Sequence, residues 1–252
     1  ESGIFQDFFV WGLRNISEGT SSDAYIADRT RQHDDLFHFL MENNTIALVI
    51  GGSSSRARTI ERELKEVVSR VNEEPHEMGH ERLYFGNGPQ EFLTLVMLDE
   101  EIPRLYETSD TANKEFPLWK DDLGAFKRRA VCLARLAQEP LYEYCRLFNF
   151  EHDILRIRLY KYQHLQSLVD QERLLTRLRN KMRQVVNKVG CDLNFAFQFD
   201  HTQAVMQFVS GLGPRKARQL IDDMLRCNER LLLSRDVLLE QEMVGEVVFL
   251  NV

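Results

Sequence analysis

Apolar and polar positions follow two rhythms along the chain, and the change between them falls near its middle. In the first half, short apolar runs alternate with helix-spaced patterns. Phe8 to Leu13 reads as a strand, and Ser17 to Asp23 follows with turn composition. Asp28 to Asn43 carries Leu36, Phe37, Phe39 and Leu40 at helical spacing and ends on Asn43-Asn44. Thr45 to Ile50 is a continuous apolar run, the pattern of a strand buried on both faces of a parallel sheet. Gly51-Gly52-Ser53-Ser54-Ser55 leads into a helix to about Val71, with Ile60, Leu64, Val67, Val68 and Val71 on one face. Phe92 to Leu98 predicts the next strand. A short helix near Ile102 to Thr108 comes after it, then a loop around Glu115-Phe116-Pro117. The order strand–helix–strand–helix–strand predicts an α/β layer.

From Leu123 onward the pattern is helical. Phe126, Ala130, Leu133, Ala134 and Leu136 define the inward side of a helix that meets Pro140, and Leu141 to Phe148 continues as a second helix with Pro140 in its first turn. Ile154 to Tyr162 alternates charged and apolar groups and reads as extended. Gln171 to Val189 is the clearest helix, with Leu175, Leu178, Met182, Val185 and Val189 as its stripe and Gly190 as its stop. Thr202 to Val209 (Ala204, Val205, Phe208) and the stretch after Pro214 (Ala217, Leu220, Ile221, Leu225) predict two more helices. Ser234 to Glu242 reads as helical, and Val244 to Val252 is apolar.

Between those two helices lies Val209-Ser210-Gly211-Leu212-Gly213-Pro214-Arg215-Lys216-Ala217. Two glycines permit a sharp turn and a close approach of ligand to backbone. Amides at the start of the second helix carry partial positive charge and suit a phosphate. Arg215, Lys216 and Arg218 add whole charges beside them. The spacing is that of a helix-hairpin-helix, which holds nucleic-acid backbone without reading sequence. The same residues also fit a plain turn in which Gly211 and Gly213 cap one helix and start another.

Charge sharpens the division. Basic against acidic side chains number 12 to 24 over residues 1–122, 14 to 6 over 123–188 and 6 to 9 over 189–252, giving −12, +8 and −3 within a total of −7. An acidic half followed by a basic middle points to surfaces with different partners. Arg173, Arg177, Lys181 and Lys188 share one face of the clearest helix just before the hairpin, and they read equally as an auxiliary basic face for nucleic acid and as a solvated helix surface. Hydrophobic content of 43% and charged content of 28% are ordinary for a globular chain. No apolar run approaches a membrane span. Cys132, Cys145, Cys191 and Cys227 lack close paired spacing, which fits reduced thiols better than disulfides or a zinc site. The chain opens Glu1-Ser2-Gly3 without an initiator Met and is expected to be a piece of a longer protein.

Three signals for other chemistry are weaker. His76-Glu77-Met78-Gly79-His80 has the zinc-protease spacing, but Pro75 and Gly79 argue for a loop, where the two imidazoles do not share a helix face. Gly51-Gly52-Ser53-Ser54-Ser55 lacks the lysine of a P-loop and reads as a strand-to-helix turn with serine N-caps. A nuclease needs carboxylates at strand ends to hold divalent metal. Asp99, Asp121 and Asp122 are candidates but form no convincing set. No cofactor, metal or catalytic residue is expected.

At the hairpin the sequence resembles a known family. Phe208 to Ala217 looks like the helix-hairpin-helix signature of the eukaryotic transcription elongation factors and histone chaperones of the SPT-six (suppressor of Ty) family. Val185-Val186-Asn187-Lys188-Val189-Gly190-Cys191-Asp192-Leu193-Asn194 resembles the family's preceding block, and Leu159 to Val169 does so more loosely. Ala130 to Leu141 is similar to the helix that closes the family's YqgF-like domain, and bacterial Tex is a distant relative with the same domain order. The resemblance implies an RNase H-like (YqgF) α/β domain without catalytic activity, followed by an all-α helix-hairpin-helix domain. The boundaries expected are 1–146 for the first, 147–158 for a connector and 159–252 for the second. It also implies a nuclear protein that works with RNA polymerase II and histones and binds DNA or RNA through Gly211, Gly213, Arg215, Lys216 and Arg218. Nothing in the sequence asks for a dimer. Two other classes stay open: a metal-dependent, structure-selective nuclease of the RuvC/RNase H type, and a purely protein-binding scaffold.

Overall fold

The computed structural model describes residues 3–11, 23–43, 45–73, 93–158, 163–226 and 231–251. Its contacts divide the chain into two compact units, Ile4–Ala134 and Arg135–Val252, the latter together with Glu1–Gly3.

In the first unit, helix α1 (Asp23–Glu42) precedes strand β1 (Ala47–Gly51), helix α2 (Ala57–Glu73) and strand β2 (Thr94–Leu98). The strands pair in parallel, with Ala47 opposite Thr94 and Gly51 opposite Leu98. Parallel neighbours need a crossover, and α2 supplies it. Leu64, Val67, Val68 and Val71 of α2 meet Leu36, Phe37 and Leu40 of α1 and Ile50 of β1 in one buried cluster. Asn72 replaces a strand partner beside β2: its Oδ1 accepts from the Leu93 amide at 2.9 Å and its Nδ2 donates to the Leu93 carbonyl at 3.3 Å.

The expected helix and strands are therefore present, with two corrections. Only Ile50 of β1 is buried, so the strand is not enclosed on both faces. Phe8 to Trp11 is not a strand either. Its rings pack on helices instead of joining a ladder: Phe9 stacks on Phe39 at 5.5 Å, and Trp11 lies 6.0 Å from His33. Gly12 and Leu13 fall outside the described residues, as do Phe92 and the His76–His80 loop.

Helices α3 (Glu101–Glu107), α4 (Asp110–Glu115) and α5 (Asp122–Gln138) follow. A helix thus precedes the expected loop, started by the Ser109 hydroxyl, which accepts from the Ala112 amide. The predicted inward side of α5 is corrected as well. Of the residues expected inside, Leu133 is buried and Leu136 half-buried, but Phe126, Ala130 and Ala134 are exposed, and Arg128, Cys132 and Arg135 are buried instead. One hydrogen bond offsets part of the cost of burying Arg128, whose Nη1 donates to Asn113 at 2.7 Å.

The second unit is helical. Helix α6 (Pro140–Arg146) starts on Pro140 as expected. Asp153–Arg156 is a 3-10 turn and not extended, because Asn149 Oδ1 accepts from the Asp153 amide at 3.2 Å and Arg156 pairs with the Asp153 carboxylate at 2.9 Å. Helices α7 (Gln163–Gln166), α8 (Gln171–Val189) and α9 (Leu193–Gln198) come next. Asp170 caps α8 by accepting from the Glu172 and Arg173 amides, and Gly190 closes it at φ 96°. A second 3-10 run (Asp200–Phe208) leads to α10 (Gly213–Arg226), and α11 (Val237–Glu240) and α12 (Glu246–Asn251) complete the unit. No described helix is long and apolar enough to cross a membrane.

Candidate nucleic-acid interface

The first arm of the hairpin is a 3-10 helix, not the α-helix its apolar residues predict. Three residues per turn align positions three apart. Thr202, Val205 and Phe208 accordingly share one buried line, joined by Met206. Thr202 fixes the start of the run, its hydroxyl donating to the Phe199 carbonyl at 2.8 Å. Phe208 closes edge-on against Phe148 at 4.8 Å.

The second arm, α10, is strongly two-faced. Ala217, Leu220 and Met224 point into the core, while Arg215, Lys216 and Arg218 are exposed. Leu225, expected inside, is 68% exposed, because the inward line runs through Met224. Between the arms the chain turns on Gly211 (φ 88°) and Gly213 (φ 73°), with Leu212 buried between them as the anchor. Both angles lie in the left-handed region that side chains with a Cβ adopt only at a cost. A Cβ on Gly213 would meet nothing within 4 Å, so backbone angle, not crowding, selects glycine there.

The surface beside Gly213 is therefore open. The amides of Gly213, Arg215 and Lys216 open α10 and have no acceptor four residues back within the helix. Pro214 has no N–H to offer. The Lys216 ammonium donates to the Gly211 carbonyl at 3.3 Å, which offsets part of that carbonyl's negative charge at the hairpin. Among the described residues, no carboxylate pairs with Arg215, Lys216 or Arg218.

Asn187 of α8 joins this hairpin to the clearest helix. Its Oδ1 accepts from the Ser210 amide at 3.0 Å, and its Nδ2 donates to the Phe208 carbonyl at 3.3 Å. Sequence reading placed Asn187 within a resembling block but gave it no role. An asparagine three residues before the glycine stop of a helix was the available signal. Arg173, Arg177, Lys181 and Lys188 are all exposed on α8. At helical geometry they fall within about 80° of arc and about 22 Å of length. Arg173 shares its charge with Asp170 at 3.6 Å. Arg179 and Arg183, also exposed, extend the positive surface beyond the residues singled out in the sequence.

The competing candidates sit elsewhere and are already engaged. Asp99 accepts from the Glu101 amide at 2.9 Å, and Asp121 from the Gly124 amide at 2.9 Å, so both start helices; Asp122 lies in the first turn of α5. Among the described residues, His33, Glu63 and Glu66 could converge on a cation, but the Arg29 guanidinium already spans the two carboxylates at 2.6 and 2.7 Å. At the end of β1, Gly51 is crowded. A Cβ there would lie 1.8 Å from the Glu100 carboxylate, which pairs with Arg104 at 3.1 Å, and the Ser54 hydroxyl accepts from the Arg56 amide.

A cleft of about 280 Å³ in the helical unit is lined by Gly3, Arg135, Tyr142, Asp192, Phe195 and His201. Burial pushes Tyr142 up to about 12 and the neighbouring Cys191 thiol up to about 11, and it raises Cys145 as well. All three are protonated at neutral pH and none is an activated nucleophile.

A family model described as a helix-hairpin-helix motif matches residues 153–252. The transcription elongation factor SPT6 homolog of Arabidopsis thaliana is 28% identical over 236 residues, which is 92% of this chain and 13% of that protein. Transcription elongation factor SPT6 of Drosophila melanogaster is 30% identical over 216 residues, 86% of this chain and 11% of the fly protein. The suppressor of Ty 6 homolog of Caenorhabditis elegans is 34% identical over 159 residues, 63% of this chain and 10% of its own length. The chain thus spans roughly a tenth of the relatives it matches. Similarity of this extent in a plant, a fly and a nematode, together with the hairpin motif, shows that the chain belongs to the SPT6 family.

Proposed function

We propose that the hairpin holds the phosphate backbone of DNA or RNA without reading sequence, as part of the non-catalytic core of a transcription elongation factor. The observation that carries this reading is the open cationic edge at Gly213, Arg215, Lys216 and Arg218, where among the described residues no carboxylate pairs with the three cations. The α10 amides are directional donors for a phosphate, and the arginines and lysine supply charge. Arg173, Arg177, Lys181 and Lys188 extend the track along α8. Both kinds of contact ignore base identity and do not distinguish DNA from RNA.

In this reading residues 1–146 form an RNase H-like YqgF domain without catalysis, 147–158 a connector and 159–252 the helix-hairpin-helix domain. The parallel β1–α2–β2 unit supports the first assignment. The engagement of Asp99 and Asp121 as helix starts supports the lack of metal-dependent cleavage. The relatives are named transcription elongation factors. In this reading the whole protein acts in transcription elongation, and the nucleus, RNA polymerase II and histones are the location and partners that the family resemblance implies, with the acidic first half offering a surface for basic ones.

Fluorescence anisotropy of the chain with short single- and double-stranded DNA and RNA across a salt series tests the reading. Each phosphate contact should contribute about one unit to the log–log salt slope. Salt-dependent binding that is lost when Arg215 and Lys216 are both changed to Glu supports the interface. Absence of binding, or binding unchanged in the variant, overturns it and favours a scaffold that binds proteins only.

A further inference from the structure

We infer that Asn187 is a positioning residue of the interface: it sets the path of the hairpin backbone so that the α10 amides present to phosphate. The inference rests on the nucleic-acid reading above. It adds a residue that touches no ligand and a way to separate the neutral from the charged part of binding.

The hairpin is joined to α10 on one side and to the 3-10 arm on the other, and each end is held differently. On the α10 side, Ala217, Leu220 and Met224 fix the helix by packing. On the other side, the chain leaves the 3-10 arm at Phe208 and must reverse before Gly211. Ser210 is exposed and hydrophobic burial does not hold it. Leu212 anchors the far side of the turn, its amide donating to the Val209 carbonyl at 3.2 Å, and what ties the Phe208–Ser210 side to α8 is the Asn187 carboxamide. Its Oδ1 accepts from the Ser210 amide, and its Nδ2 donates to the Phe208 carbonyl and to the Arg183 carbonyl one turn back in α8. Both protons of the amide and an oxygen lone pair are thus used, and the partners fix which end is nitrogen.

Side-chain amides hold chain corners elsewhere in the molecule. Asn194, seven residues on, grips Leu232 by the same pair of bonds, accepting from its amide at 2.7 Å and donating to its carbonyl at 3.0 Å. The segment Asn187 to Asn194 therefore fastens the chain both before and after α10. At Asn187 the fastened corner adjoins the open cationic edge, which distinguishes it from Asn194.

Removing the carboxamide should loosen Ser210 to Gly213 while leaving α10, and with it Arg215, Lys216 and Arg218, packed in place. Salt dependence counts only contacts in which a cationic side chain displaces counterions. Amide contacts are neutral. The loss should appear in affinity at every salt concentration and not in the slope.

The test compares the full 252-residue chain with Asn187→Ala and Asn187→Gln by anisotropy on a short DNA duplex, beside the Arg215→Glu/Lys216→Glu variant. Hydrogen exchange is followed at Ser210. Two hydrogen bonds lost imply about tenfold weaker binding for Asn187→Ala, with the wild-type salt slope, and faster exchange at Ser210. Asn187→Gln keeps an amide on a good helix former but displaces it by a methylene. It should fold as the wild type does and show a smaller loss of the same kind. Wild-type affinity in Asn187→Ala, or in Asn187→Gln where the alanine variant does not fold, overturns the inference and leaves the nucleic-acid reading standing. A flattened slope also overturns it, since charged contacts would then have moved. If the unaltered chain binds no nucleic acid, both readings fall together.

Discussion

Two glycine pairs in this molecule invite the same reading and have opposite surroundings. Gly51 ends β1 and Gly52 leads on toward α2; Gly211 precedes α10 and Gly213 opens it. Either could lie against a phosphate in sequence terms. At the first, the protein fills the space itself: the Glu100 carboxylate and the Met97 side chain occupy the positions where Cβ atoms of residues 51 and 52 would stand. At the second, both glycines are left-handed, and the space beside Gly213 is empty. Glycine is required at one place by neighbours and at the other by backbone angle. Only the second leaves its amides beside cations that pair with no carboxylate among the described residues.

The comparison can be tested by changing each pair and its supports. Leu220→Ala removes a fully buried side chain beneath α10 and should cost about 3 kcal/mol of unfolding free energy, read by urea denaturation. Changing Arg215 and Lys216 to Glu should leave that free energy within about 0.5 kcal/mol, because both are exposed. Binding in the anisotropy assay should nevertheless fall about a hundredfold, roughly 2.7 kcal/mol. Gly51→Ala should destabilise by about 2 kcal/mol, since the Glu100 carboxylate must move away from its pairs with Arg104 and Arg129, and should not touch binding. Wild-type stability in Gly51→Ala would break the contrast at its crowded end. Gly213→Ala should cost about 1 kcal/mol through its backbone angle alone and weaken binding in proportion to the distortion of the hairpin.

A further effect is in pH. Cys191 is raised by burial to about 11 from an ordinary 9. The neutral thiol is the form the fold favours, so the associated stability is intact below pH 9 and is lost as pH rises toward 11. A stability profile between pH 8 and 11 should decline over that window, and Cys191→Ser should shallow the decline. Alkylation at neutral pH should be slow in the folded chain and fast in urea.

Much of this was legible from residue patterns. Gln171 to Val189 was bounded in the sequence as it is in the structure, because Asp170 and Gly190 state its ends locally. β1 and α2 followed from an apolar run and a helical stripe in the same way. The cationic trio was visible because charge beside glycine and proline is local information. The misreadings share one cause. Phe8 to Trp11 has strand composition, but its rings found helix surfaces to cover. In α5 Arg128 and Arg135 went inside and Phe126 outside, because their partners, Asn113 and the Gly3 carbonyl, lie outside the helix and a helix pattern counts apolar residues only.

Local sequence determined β1, β2, most of the α-helices, the charge asymmetry and the glycine turn of the hairpin, since each depends on residues within one or two turns of one another. Tertiary structure alone decided which glycine pair is filled and which is open, because Glu100 lies far along the chain from Gly51 and only strand pairing brings it there. It also decided that Asn187 ties down the Phe208–Ser210 side of the hairpin, an assignment that required Ser210 to fold back across 23 residues onto α8.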